Sequence, residues 1–247
     1  MLIKMQLKKT AYGQIAFCHD TPADISPEWF TETFWRQQNA VVGSSSGRNI
    51  TWFVAHDSER WALRHYWRGG LIAKLIKDAY PFSSYESTRA FAELQLLEQL
   101  YDEGFAVPKP IAAQVVRSGF VYRADILTKL LPNALDLVGL LAERALTDAE
   151  WQALGQLIAK FHQRGVYHAD LNAKNILLSN GQFYLIDFDR GELRDATPDW
   201  QRSNMERLLR SFRKEHGKQP TLAFDEHCWQ HLVAGYQQTN PIGLENI

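Results

Sequence analysis

The 247-residue sequence has few cysteines, almost no net charge and no long hydrophobic run. Its two cysteines, Cys18 and Cys228, lie near opposite ends of the chain without metal-binding spacing, which excludes a disulfide-rich scaffold and fits a reducing cytosol. The 27 basic and 28 acidic side chains give a formal charge of −1. This balance argues against a dedicated nucleic-acid-binding protein.

Apolar stretches in the sequence are shorter than the roughly 18 residues needed to cross a bilayer, and residues 137–142 are flanked by Asp136 and Glu143. The first nine residues lack the apolar segment of a secretory signal. A composition of 45% hydrophobic and 22% charged residues is typical of globular proteins. We therefore expect a soluble cytosolic protein with one large domain or two smaller ones, unless its surface binds a membrane.

The first half of the chain predicts an antiparallel sheet with one inserted helix. Residues 51–56 and 61–66 are rich in β-forming side chains around a polar turn, which predicts a hairpin. Residues 87–101 have helical periodicity, and residues 114–116 and 121–127 predict two more strands. Pro108 and Pro110 interrupt regular structure between the helix and these strands. We place a lobe boundary at residues 131–133, which gives lobes of residues 1–130 and 131–247.

The second half predicts a mainly helical lobe that contains one short hairpin. Thr147 and Glu150 form a capping box before an amphipathic helix that ends at Gly165. Residues 175–178 and 183–188 predict strands joined by Asn180-Gly181, a strong hairpin signal. After Pro198 the pattern is helical to the end, with a basic helix over about 200–215.

Polar side chains flank this hairpin on both sides. Asp170 and Asn175 precede it and Asp187 follows it, so a tight hairpin would bring the three together. Carboxylate and amide oxygens suit Mg²⁺, and a nearby carboxylate can accept a proton from a hydroxyl during phosphoryl transfer. The alternative is a solvated turn capped by its Asp and Asn.

These residues resemble the protein-kinase superfamily, and one branch of it closely. The residues that carry the closer resemblance are Leu63-Arg64-His65-Tyr66, Arg68-Gly69-Gly70, Arg89 to Glu93, Val107-Pro108-Lys109-Pro110, Asp170 to Asn175 and Ile186 to Arg190. They look like the corresponding motifs of bacterial 3-deoxy-D-manno-octulosonic acid (Kdo) kinases, and the similarity runs from about residue 43 to residue 213. It implies an α+β, bilobal, protein-kinase-like fold and a peripheral protein on the cytoplasmic side of the bacterial inner membrane. It also implies ATP-dependent phosphorylation of the 4-hydroxyl of Kdo on a lipid A precursor, with ATP and Mg²⁺ as cofactors.

The resemblance assigns roles within this pattern: Asp170 is the base, and Asn175 and Asp187 hold Mg²⁺. Arg64 stands where such kinases carry lysine, and Glu93 on the following helix is its expected ion-pair partner. The sequence Asp187-Phe188-Asp189 lacks the flexible glycine of ordinary kinases, which makes a regulated swing of this segment less expected.

The segment from Gly43 to Gly47 is a candidate phosphate loop, although it is neither G-x-G-x-x-G nor a Walker A loop. It resembles the serine-rich loops of RIO kinases, and a plain flexible turn is the alternative.

Two further side chains lie close to Asp170 in sequence. Lys174 can neutralise charge on the transferred phosphoryl group, or it is a solvated lysine. We expect His168 to brace the loop by hydrogen bonding. The remaining histidines, including His65 and His162, are expected to lack ligand spacing and to be structural.

Two surface features suggest contact with an anionic membrane. Core packing and a solvated charged face would explain both equally well. The two features are one basic helix face, formed by Arg207, Arg210, Arg213 and Lys214, and one aromatic group, formed by Trp29, Phe30, Phe34 and Trp35.

The sequence therefore favours a small kinase for a lipid-linked sugar. Another core sugar such as heptose, or a protein side chain, is an alternative acceptor. A pseudokinase scaffold is a third reading, disfavoured because Asp170, Asn175 and Asp187 are all present. The sequence leaves the oligomeric state open.

Overall fold

The computed structural model describes residues 5–45, 50–68, 78–242 and 244. The chain divides into two compact units, each described by itself below. The N-terminal unit comprises Met1–Glu103 and Pro108–Leu130, and the C-terminal unit comprises Gly104–Val107 and Leu131–Ile247.

The N-terminal unit is an antiparallel sheet with one long helix, as the sequence predicts, and with a 3₁₀ turn and a short helix in addition. Its strands are β1 (Gln6–Thr10), β2 (Gly13–Phe17), β3 (Val41–Ser44), β4 (Thr51–His56), β5 (Glu59–His65), β6 (Tyr80–Pro81), β7 (Pro110–Ser118) and β8 (Val121–Lys129). Its helices are a 3₁₀ turn (Pro27–Phe30), α1 (Glu32–Gln37) and α2 (Arg89–Asp102).

The strands of this sheet pair in the order β1-β2-β7-β8-β5-β4-β3, and β6 pairs with β8. The β4–β5 hairpin matches the prediction, with Thr51 opposite Arg64 and His56 opposite Glu59. The strand expected at 114–116 is longer, because the small residues Ala112 and Ala113 also pair with β8. The β1–β2 hairpin was not predicted; at Gly13 a Cβ would lie 1.9 Å from the carbonyl oxygen of Val115.

A hydrophobic core lies on one face of the sheet, beneath the 3₁₀ turn and α1. Trp29, Phe30 and Trp35 are buried in it, and Phe34 packs against it. The burial of three of these aromatics favours core packing, the alternative explanation, over contact with a membrane. Side chains alternate along β5, so Trp61 and Leu63 enter this core while Arg64 faces α2.

The C-terminal unit is mainly helical, as expected. Its helices are α3 (Leu137–Glu143), α4 (Asp148–Gln163), α5 (Pro198–Lys218) and α6 (Glu226–Thr239). Its short strands are β9 (Leu135–Asp136), β10 (Val166–Tyr167), β11 (Ile176–Ser179), β12 (Gln182–Leu185) and β13 (Glu192–Leu193). The expected continuous helix after Pro198 is interrupted between Lys218 and Glu226.

Helices α4 and α6 pack closely at two glycines. The predicted capping box starts α4, with Thr147 and Glu150 each accepting from the other's backbone N–H. A Cβ at Gly155 would lie 2.0 Å from the carbonyl oxygen of Leu232, and one at Gly235 would lie 2.1 Å from that of Gln152. The glycines thus fix the distance between the two helices. Within the described ranges, no helix is both long and apolar enough to span a bilayer.

Candidate active site

The β11–β12 hairpin brings the sequence before it next to the sequence after it. Asn180 and Gly181 take positive φ values of 48° and 78°, as a tight hairpin turn requires. At the open end, Ile186 N–H donates to the carbonyl of Asn175 at 3.0 Å. Asp187 therefore follows directly on the residue that pairs with Asn175.

The loop that carries Asp170 is tied to the same end of the hairpin. The side-chain amide of Asn175 donates to the carbonyl of Asp170 at 3.0 Å. The structure thus brings together Asp170, Asn175 and Asp187, as the hairpin argument predicted.

His168 braces this arrangement with both ring nitrogens. Its Nε2 lies 3.0 Å from the carbonyl oxygen of Ile186, and its Nδ1 accepts from the N–H of Asp170 at 3.2 Å. These contacts require a neutral ring with the proton on Nε2. Burial lowers the pKa of His168 and keeps it neutral. The expected structural role of His168 is confirmed.

The carboxylate of Asp170 is exposed but oriented by two neighbours. It is 61% exposed, Arg207 Nη1 lies 3.3 Å from Oδ1, and the amide of Asn172 donates to Oδ2 at 3.1 Å. Asn172 also accepts from the N–H groups of Lys174 and Asn175 through Oδ1. The sequence reasoning missed both orienting roles; the N-cap preference of Asn172 was available as a signal, whereas nothing local linked Arg207 to Asp170.

Asp187 has an unusual backbone, and the residue after it is an anchor. Its φ is +62°, a conformation that costs a non-glycine residue free energy and that clusters at functional sites. Phe188 is fully buried, with ring centroids 4.8 Å from His168 and 6.0 Å from Phe161. The buried ring fixes the chain where Asp187 is presented.

Lys174 is 56% exposed, and its Nζ lies 3.7 Å from a carboxylate oxygen of Glu215.

The basic face predicted on α5 is partly neutralised. Arg213 pairs with Glu226 at 2.7 Å, and Arg210 lies 3.7 Å from Glu206. Ion pairs therefore reduce the positive charge that this face can offer an anionic membrane.

The N-terminal unit contains the expected pair of Arg64 and Glu93. Arg64 Nη2 donates to Glu93 Oε1 at 2.6 Å, and Glu93 is 2% exposed. The Tyr66 hydroxyl donates to Glu93 Oε2 at 2.6 Å, and the Arg64 guanidinium lies over the Tyr66 ring at 4.6 Å. The pairing is thus confirmed and is not a surface salt bridge. Tyr66 is a partner that the sequence did not reveal.

The expected phosphate loop is only partly described. Gly43 does not lie in a loop: it belongs to β3, next to a bulge, and pairs with Phe53. A Cβ there would lie 3.2 Å from the Phe53 ring, so the position favours glycine for packing. Gly47 lies outside the described residues.

The polar atoms around Asp187 fit Mg²⁺. Its carboxylate is a hard oxygen donor. Asn175 uses its amide nitrogen on Asp170, which leaves its amide oxygen for a cation. The chemistry of this donor set is that of a magnesium site rather than a zinc site.

Comparison with known proteins connects this geometry to a family. The profile of the lipopolysaccharide kinase (Kdo/WaaP) family matches residues 32–236. The chain belongs to that family.

Curated relatives are similar along almost their whole length. A 3-deoxy-D-manno-octulosonic acid kinase of Vibrio parahaemolyticus is 48% identical over 202 residues, which cover 81% of this chain and 84% of the relative. A 3-deoxy-D-manno-octulosonic acid kinase of Vibrio vulnificus is 43% identical, and the match covers 94% of this chain and 98% of the relative. One from Haemophilus influenzae is 43% identical over 90% of this chain and 95% of its own.

A solved structure supports the fold. The structure of WaaP in complex with acyl carrier protein matches with a TM-score of 0.55 and 16% identity, and the match covers 85% of this chain and 87% of WaaP. At this identity the likeness shows the kinase-like fold alone.

Proposed function

We propose that this lipopolysaccharide kinase transfers the γ-phosphate of ATP to the 4-hydroxyl of Kdo on Kdo-lipid IVA. The observation that carries the proposal is the grouping of Asp170, Asn175 and Asp187 at the open end of the β11–β12 hairpin. The acceptor follows from the relatives, which are named 3-deoxy-D-manno-octulosonic acid kinases.

In this reaction Asp170 is the general base. Its exposed carboxylate accepts the proton of the sugar hydroxyl, whose oxygen forms a bond to the γ-phosphorus as the bond to the bridging oxygen breaks and ADP leaves. Arg207 and Asn172 hold the carboxylate at its two oxygens, so little orientational freedom is lost in the reaction.

The nucleotide phosphates are bound by charge. Asn175 and Asp187 would hold Mg²⁺, which when bound neutralises phosphate charge. Arg64, steadied by Glu93, would fork two phosphate oxygens. Lys174 would stabilise charge on the transferred group. It can leave Glu215 at small cost because Lys174 is exposed to solvent and Glu215 keeps its ion pair with Lys218. Because Gly43 lies in β3, the segment proposed to cover the phosphates is reduced to the residues after this strand, up to Gly47.

The two lobes would divide the work: residues 1–130 bind the nucleotide and residues 131–247 carry the catalytic groups. Because Kdo-lipid IVA is a membrane lipid, we also propose peripheral binding to the cytoplasmic face of the inner membrane. The α5 arginines form ion pairs with Glu206 and Glu226, and three of the aromatics of residues 29–35 are buried, so these features are weak support for membrane binding.

Acceptor choice is tested with three lipids: Kdo-lipid IVA, lipid IVA without Kdo, and a heptose-extended precursor whose Kdo 4-hydroxyl is blocked. Mass spectrometry should show one added phosphate on the first lipid and none on the other two, with fragmentation placing it on Kdo. Phosphorylation of lipid IVA itself, or of heptose, would contradict the proposed acceptor. ATP hydrolysis without phosphorylation of any of the three lipids would be compatible with a kinase but would reject Kdo as its acceptor.

A further inference from the structure

Three ligand-type side chains to which no role in phosphate transfer is assigned meet where α4 begins beside α6. Asp148 is the first residue of α4, and His227 and His231 lie one turn apart on α6. Their ligand atoms all lie within 4.8 Å of one another. The expectation that the remaining histidines lack ligand spacing is wrong for this pair.

The distances within this cluster suit a single small cation. The two histidine Nε2 atoms are 3.1 Å apart. Two nitrogens bound to one zinc at about 2.0–2.1 Å lie about 2.9 Å apart at a right angle and about 3.4 Å apart at a tetrahedral angle. The Asp148 oxygens lie 3.7 Å from His227 Nε2 and 3.5 Å from His231 Nε2, so a small rotation of this exposed carboxylate completes the set.

Without a cation, a single N–H···N hydrogen bond can join the two histidines. Two neutral imidazoles whose Nε2 atoms face each other can share at most one proton, and a positive charge on both would repel. A divalent cation replaces that proton and is also neutralised by the Asp148 carboxylate. The side chains of His227 and Asp148 are 66% and 62% exposed, so a cation can reach them from solvent.

Neighbouring residues preorganise the cluster. The side-chain amide nitrogen of Gln152 lies 3.4 Å from His231 Nδ1. A 180° rotation of this amide turns its oxygen toward Nδ1, where it can accept the proton that a histidine bound to metal through Nε2 carries. Gly235, one turn after His231, sits against the carbonyl of Gln152, which fixes the spacing of α4 and α6 at this point. The ligands therefore do not have to be collected from separate mobile segments.

We propose that Asp148, His227 and His231 form a site for Zn²⁺ or a similar transition-metal ion that joins the start of α4 to α6. Three protein ligands leave a position for water, and two imidazoles select against Mg²⁺, which prefers oxygen ligands. The site is thus different in ligand chemistry from the one assigned to Asn175 and Asp187. Because the ligands come from two helices, the folded chain binds the ion more tightly than the unfolded chain, and binding raises Tm.

The test uses the full chain without an affinity tag, stripped of metal by a chelator and titrated with Zn²⁺ or Co²⁺ in millimolar Mg²⁺. We expect one equivalent to bind, a visible Co²⁺ spectrum with nitrogen ligands, and a higher Tm. His227→Gln, His231→Gln and Asp148→Asn should each weaken binding by about 10- to 100-fold or more. Circular dichroism of each variant checks that it is folded.

Two control variants keep the cluster intact. His19→Gln removes another exposed histidine, and Cys228→Ser removes the thiol next to His227; both should bind like the wild type. Absence of stoichiometric binding, or equal binding by wild type and the three ligand variants, would overturn the proposal. Displacement of Zn²⁺ by millimolar Mg²⁺, or loss of binding in Asp187→Asn alone, would place the ion at the magnesium site and also overturn it.

Discussion

Replacing Glu93 by Gln should strongly destabilise the N-terminal unit and weaken ATP use. Glu93 is 2% exposed and accepts from Arg64 and Tyr66, both at 2.6 Å. Removing one partner of a buried ion pair costs about 3–5 kcal/mol. Because Arg64 keeps 23% of its side chain exposed and can be partly rehydrated, we expect the lower end, about 3 kcal/mol.

The assay is urea unfolding together with hydrogen exchange of peptides from β5 and α2. Exchange should accelerate there first, and kcat/KM for ATP should fall at least about tenfold, which corresponds to 1.4 kcal/mol. Tyr66→Phe keeps the ion pair and loses one hydrogen bond, so it should cost only about 1–2 kcal/mol.

Glu98→Gln is the matched control, because Glu98 is a second buried glutamate on α2. One of its carboxylate oxygens has no hydrogen-bond partner in the described part of the chain, and burial raises its pKa. Replacing this carboxylate by a neutral amide should leave the free energy of unfolding unchanged or raise it. If Glu93→Gln were no more costly than Glu98→Gln, the pairing with Arg64 would not be what stabilises this region, and the reasoning would be refuted.

Three further outcomes are expected. Burial lowers the pKa of His162 to about 3, so the protein takes up a proton on unfolding below about pH 6.5. The free energy of unfolding should therefore fall by about 2 kcal/mol between pH 6.5 and pH 5. In His162→Gln, the free energy of unfolding measured with urea should depend less steeply on pH. Gly155→Ala should lower Tm markedly because its Cβ would meet a backbone carbonyl at 2.0 Å, whereas Gly217→Ala, with nothing within 4 Å, should be neutral or gain up to about 1 kcal/mol. Lys174→Gln should reduce kcat about tenfold or more with little change in KM for ATP; an unchanged kcat would mean that Lys174 is only a solvated partner of Glu215.

Local signals in the sequence were sufficient for much of the C-terminal unit. Asn180-Gly181 specifies a turn with two positive φ values, and the turn places Asn175 beside Asp187 without tertiary information. The capping box at Thr147 was likewise readable, because both of its partners lie within one turn.

Other features depend on partners distant in sequence. Arg207 lies 37 residues after Asp170, and only the packing of α5 brings it there. The aromatics of residues 29–35 fitted membrane contact and core packing equally well from sequence, and only the packing of a 3₁₀ turn and α1 on the sheet shows that they belong to the core. The β1–β2 hairpin was missed because Lys8, Lys9 and Gly13 weaken its β-forming pattern.

The most direct test of the account is phosphate transfer from Mg·ATP with labelled γ-phosphate to Kdo-lipid IVA by wild type and by Asp170→Asn. Asp195→Asn, which changes an exposed carboxylate of the same unit, is the matched control. We predict one added phosphate with wild type and control, and a rate about 10²- to 10⁴-fold lower with Asp170→Asn, while ATP still binds. Transfer by Asp170→Asn at the wild-type rate would contradict the assignment of the base and, with it, the interpretation of the site.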